Sequence, residues 1–149
     1  MSNRKVGEKM KRIVIATHGT LAKGFQHTLE IIGVNMEHIQ VLNFYCEELC
    51  GEAQVSECFA HIKEEDQLIV CTDIQFGSVN QMFMREAMKH PQINAAILSG
   101  INLPLLLELA STQEVLCKES LQAMVEKAAK QLTLMDLKQL NITTEDDIF

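Results

Sequence analysis

The chain has no tryptophan, one tyrosine and two prolines in 149 residues, and no apolar run approaches the roughly 18 residues that a membrane-spanning helix needs. So few aromatic rings leave little for the stacking platforms used by single-stranded nucleic acid binders. Positive charge is short as well: 13 Lys and Arg face 20 Asp and Glu, a net charge of -7 with a pI near 5.2. That balance argues against general attraction to nucleic acid or to an anionic membrane. The five cysteines, Cys46, Cys50, Cys58, Cys71 and Cys117, include no C-x-x-C pair, and no histidine stands at zinc-finger spacing from them. Reduced, structural thiols follow, with no metal centre expected. The basic start of the chain leads into no apolar stretch of signal-peptide length before His18-Gly19, so a cytoplasmic protein is expected.

What is present is the composition of one globular domain, 47% hydrophobic and 22% charged. Four apolar runs, at 13–17, 39–45, 67–73 and 94–99, alternate with helical patterns. Such alternation predicts a three-layer α/β sandwich, a mainly parallel sheet of about four strands with helices on both faces. Leu21, Phe25, Leu29 and Ile32 fall at helical spacing, and Gly33 is a C-terminal stop. Val55, Phe59 and Ile62 give a second apolar stripe, and Val79, Met82, Phe83 and Ala87 a third that breaks at His90-Pro91. Two further helices are expected, at 103–109 and at 118–132. Residues 136–140 fit either a continued helix or an antiparallel edge strand. Residues 1–11 read as a loose N-terminal tail, 12–140 as the domain, and 141–149 as an acidic tail.

Two of the strands end in residues that a turn alone does not call for: Thr17-His18-Gly19-Thr20 after the first and Thr72-Asp73 after the third. With strand order 2-1-3-4 the crevice between strands 1 and 3 is the topological switch point, where open α/β sheets bind ligands, so His18 and Asp73 should converge there. A carboxylate bonded to one ring nitrogen fixes the tautomer and leaves the other nitrogen's lone pair free to attack. Ser78 is a natural N-cap for the helix after Asp73, and Gly77 lets backbone approach a ligand. Gly19 and Thr20 open another helix N-terminus beside His18, and amide donors at both termini suit a phosphoryl group on the imidazole. A strand-end histidine serves equally as a hydrogen-bonding residue, and these residues alone leave both roles open. His27, His38, His61 and His90 read as solvated, Cys71 as core. Met82 and Met88 fit a core stripe, while Met84 falls off it and suits a partner surface.

Three ordered motifs resemble the A component of the mannose/fructose/sorbose family of the phosphoenolpyruvate-dependent sugar phosphotransferase system. They are Ile13-Val14-Ile15-Ala16-Thr17-His18-Gly19, then Thr72-Asp73-Ile74-Gln75-Phe76-Gly77-Ser78-Val79-Asn80, then Ser99-Gly100-Ile101-Asn102-Leu103-Pro104. The second is similar to the family's Asp-x-x-Gly-Gly-Ser-Pro-x-Asn segment, with Phe76 in place of the first glycine and Val79 in place of the proline. The resemblance implies a phosphohistidine relay without metal or cofactor: His18 accepts phosphate from the phosphocarrier protein HPr and passes it to a separate enzyme IIB chain for sugar uptake. It implies that Asp73 orients His18, that Gly19, Thr20, Gly77 and Ser78 surround the phosphate, and that Phe76, Met84 and Asn102 face partners. It also implies a homodimer, which meets the membrane only through the transporter. Alternatives are the phosphotransferase subunit serving dihydroxyacetone kinase and a non-enzymatic module controlled by phosphorylation; a metal-dependent hydrolase lacks a ligand cluster.

Overall fold

The computed structural model describes residues 7–46 and 51–139. In chain order the elements are β1 (Lys11–His18), α1 (Leu21–Ile32), β2 (Ile39–Phe44), α2 (Glu52–Ala60), β3 (Gln67–Thr72), α3 (Ser78–Lys89), β4 (Asn94–Ser99), α4 (Leu103–Ala110) and α5 (Lys118–Ala129). The sheet runs β2-β1-β3-β4 with every pair parallel, the architecture that the alternating pattern predicts. In parallel register His18 lies opposite Phe44, and Ala16 lies opposite Thr72. All four carboxyl ends therefore share one edge, with β1 and β3 at its centre.

The side-chain period of two along a strand divides β1 between two cores. Ile13 and Ile15 pack with Ile69 and Cys71 against α1, α4 and α5, through Leu29, Leu106, Leu109 and Leu121. Val14 and Ala16 turn the other way, with Val70 and Phe44, against Val55 and Phe59 of α2 and Val79 and Phe83 of α3. Strand β3 is buried along its whole length, as an apolar strand covered on both faces must be. Burial pushes the Cys71 thiol up to about 12, against the pull of nearby Lys11, so this cysteine is an inert core residue.

Element limits depart from the sequence pattern where packing, not periodicity, decides. Strand β1 starts at Lys11, inside the stretch read as a loose tail, and Met10 and Lys11 are both buried. The Met10 N–H donates to Asp66 Oδ1 at 3.0 Å, and Lys11 Nζ donates to the Leu109 carbonyl. Strand β2 ends at Phe44, and Tyr45 leaves it with φ 61°. Helix α5 stops at Ala129: Leu132, which continues its apolar stripe, is 94% exposed and meets no packing surface among the described residues. Residues 136–139 form a turn, closed by the Gln139 N–H on the Asp136 carbonyl, and neither helix nor strand. Residue 140 and the tail 141–149 lie outside the described residues, which hold no antiparallel edge strand.

Candidate functional site

His18 and Asp73 meet at the carboxyl edge of the sheet, at the crevice between β1 and β3. The Asp73 carboxylate accepts both the backbone N–H of His18, 2.9 Å from Oδ2, and its ring, with Nδ1 3.0 Å from Oδ2 and 3.2 Å from Oδ1. Oδ1 also accepts the N–H of Ile74 at 3.0 Å. Burial pushes this carboxyl up, but the hydrogen bonds from His18 and the charge of its ring outweigh burial and hold Asp73 below the ordinary carboxylate range. An ionised carboxylate only accepts, so Nδ1 carries a proton, and in the neutral ring Nε2 presents its lone pair.

Nε2 faces Ser78 Oγ at 3.2 Å, and that oxygen in turn accepts the hydroxyl of Tyr45 at 2.8 Å. The Tyr45 ring stacks on the imidazole, with centroids 5.5 Å apart and planes 20° from parallel. The His18 side chain remains 35% exposed, while the Asp73 side chain is 10% exposed. The ring is thus open to solvent while the carboxylate that holds it is shielded.

Gly77 explains how α3 comes so close. A Cβ at this position would lie 3.3 Å from His18 Cε1 and 3.2 Å from the Ile74 carbonyl, a tight fit in which the ring or the loop would have to give by a few tenths of an ångström, so glycine eases the approach of the helix head to the ring. Gly77, not Ser78, is the N-cap, and Ser78 is the first helical residue. The correction has a physical sense. With its hydroxyl turned to Nε2, Ser78 is not spent on its own helix, whose first-turn amides have no partner within the helix.

The other residues singled out by sequence divide. Gly19 adjoins His18, but its N–H donates to the Phe44 carbonyl at 2.8 Å, and the N–H of Gly77 donates to Ile74 at 3.1 Å, so neither amide is free for a ligand. Thr20 is exposed and makes no side-chain cap; the start of α1 is held by Thr17 Oγ1, which accepts the Ala22 N–H at 2.7 Å. Phe76 and Met84 line a groove of about 510 Å³ with Met88, Ala95 and Ile97, next to the His18 crevice. Asn102, read as partner-facing, is a structural residue: Oδ1 caps α4 through the Leu105 N–H at 3.0 Å, and Nδ2 donates to the Ala128 carbonyl of α5 at 2.8 Å. His90 is not merely solvated, since its ring stacks on Phe59 at 5.4 Å and its Nε2 lies 3.0 Å from Glu86 Oε1.

Two residues have roles that the sequence does not assign, although Asn80 closes the second motif. Asn80 is buried, accepts the Phe76 N–H at 3.2 Å and donates to Thr72 Oγ1 at 3.0 Å, so it braces the loop that carries Asp73. Tyr45 sits one residue past the His18–Phe44 register pair. Parallel order alone puts the residue after β2 beside His18, which is the signal that could have found it.

A family model described as PTS system fructose IIA component matches residues 12–129. The sorbose-specific EIIA component of the same phosphotransferase system from Klebsiella pneumoniae is 38% identical over 72 residues, 48% of this chain and 50% of that protein. The chain thus spans about half the length of this curated relative. Among solved structures, a Klebsiella pneumoniae protein classed provisionally as a permease of the phosphoenolpyruvate-dependent sugar system superposes with a TM-score of 0.72 at 29% identity, covering 89% of this chain and 96% of that one. The IIA protein associated with the fucose utilization operon of Streptococcus pneumoniae gives 0.65 at 26% identity, covering 87% and 94%.

Proposed function

The chain belongs to the mannose-family IIA components of the sugar phosphotransferase system, and on that footing we propose that His18 is its phosphoryl carrier, loaded by phospho-HPr and discharged to an enzyme IIB component. The observation that carries this reading is the His18 ring itself, with Nδ1 held by Asp73 and Nε2 turned outward toward Ser78. The Nε2 lone pair attacks the phosphorus of the donor's phosphohistidine in line. As the new N–P bond forms, the old one breaks and its electron pair returns to the donor imidazole; Nδ1 keeps its proton on Asp73. In this reading Ser78 Oγ, 3.2 Å from Nε2, and the first-turn amides of α3 are the donors to the phosphoryl oxygens as they develop charge. Exchange between two phosphohistidines is nearly balanced, so accurate placement of the ring counts for more than ground-state affinity.

No helix among the described residues is long and apolar enough to cross a membrane, in keeping with a carrier that works in the cytoplasm. The partner face is the rim of the crevice, where Phe76 is 65% exposed and Met84 borders it. A homodimer is part of the same proposal; β4 forms an edge of the described sheet, and its strand is only partly covered.

The test is incubation with phosphoenolpyruvate, enzyme I and HPr, followed by assay for an acid-labile phosphoryl group and its passage to a IIB component. His18→Ala should fold normally and take up none. Undiminished labelling of that variant would overturn the assignment, and labelling without onward transfer would favour a regulatory module over a relay.

A further inference from the structure

We infer that Tyr45 is a positioning residue for His18, acting through Ser78; this rests on the relay proposed above. Ser78 Oγ has a single proton to give. The hydroxyl of Tyr45 donates to that oxygen at 2.8 Å, and His18 Nε2, which carries no proton while Asp73 holds the one on Nδ1, lies 3.2 Å away. With one lone pair taken by Tyr45, the serine proton turns to Nε2. Tyrosine, serine and histidine thus form a directed chain, and chains of this kind strengthen each member by polarisation. The stacked phenol ring, 5.5 Å from the imidazole between centroids, limits the remaining freedom of the His18 ring.

The backbone points the same way. Tyr45 takes φ 61°, a left-handed conformation that a bulky residue rarely adopts, immediately after the end of β2. The Gly19 N–H bonds to the Phe44 carbonyl at 2.8 Å and ties this corner to the turn behind His18. Yet Tyr45 is 66% exposed, so core packing does not account for the strain. Non-glycine residues held in this region cluster where function over-determines them. When phosphate arrives on Nε2, the Ser78 hydroxyl, still oriented by Tyr45, is set to donate to a phosphoryl oxygen instead of to the vacated lone pair.

The test uses Tyr45→Phe, which keeps the ring and its stack but removes the donor, alongside Ser78→Ala and the double variant. Two quantities are read: the 15N NMR signal of His18 Nε2 in the neutral ring, and the rate of phosphoryl uptake from phospho-HPr. In Tyr45→Phe the Nε2 signal should move toward that of an imidazole nitrogen accepting no hydrogen bond, and uptake should slow about 2–10-fold, the worth of one neutral hydrogen bond. In the Ser78→Ala background the same substitution should change neither quantity, because the route through the serine is gone. An unmoved Nε2 signal overturns the proposal, even if uptake slows, since it would make Tyr45 a partner contact. Unchanged uptake in Tyr45→Phe, or equal losses in both backgrounds, overturns it as well. Should the wild-type chain accept no phosphate, the relay itself falls, and the Nε2 signal alone decides whether Tyr45 orients Ser78.

Discussion

Phe76 occupies φ 60° in the loop between Asp73 and Ser78, where the family motif has glycine. A side chain in this conformation costs roughly 1–2 kcal/mol. The phenyl ring recovers little of that by burial, since it is largely solvent-exposed on the rim of the crevice. Replacing it with glycine removes the strain but raises the freedom of the unfolded chain, an offset of about 0.4–1 kcal/mol. Phe76→Gly should therefore leave stability in urea unchanged or higher by up to about 1.6 kcal/mol, while slowing phosphoryl uptake from phospho-HPr several-fold. A clear loss of stability would mean that the ring packs; unchanged uptake would remove Phe76 from the partner face. At this scale the pairing of His18 with Asp73 was legible because strand order and strand ends are written in the apolar runs. Strand order also places the residue after β2 beside His18, but the left-handed turn that aims Tyr45 at Ser78 contradicts local preference for an aromatic residue, so its contact was not legible.

Among the elements, the head of α3 is braced by one buried amide. Asn80 joins the end of β3, through Thr72 Oγ1, to the Phe76 N–H in the loop, and Thr72 Oγ1 itself donates to the Leu98 carbonyl of β4 at 3.1 Å. Asn80→Ala strips a partner from two of these groups, and leaving such groups unpaired costs about 1–3 kcal/mol. The expected result is a loss of that size in urea denaturation, with faster hydrogen exchange at residues 73–77. Exchange unchanged in that loop would show that Asn80 supports the helix and not the site. All nine described elements were foreshadowed by period and by Gly33 and Pro104, whose local chemistry is strong. Their limits were less so: whether Lys11 joins a strand or Leu132 a helix depends on Leu109 accepting the lysine and on the exposure of the leucine, which meets no packing surface among the described residues.

For the molecule as a whole, the exposed groove of Phe76, Met84 and Met88 runs along the β4 side of the sheet, beside the site. A homodimer that uses the β4 edge and the Met88 end of this groove, leaving Phe76 and Met84 to the phosphoryl partners, should sediment at twice the chain mass of 16.8 kDa, and Met88→Glu should shift it toward monomer. A monomer at all concentrations tested would sink that part of the proposal. The double hold of Asp73 on His18, by backbone and by ring, carries a further consequence for traffic through the site. A swinging arm can load at one face and unload at another; a clamped ring has a single doorway. In the relay proposed above, donor and acceptor must therefore present matching surfaces to the same rim and use it in turn, so that their competition for one berth would govern the flow of phosphate.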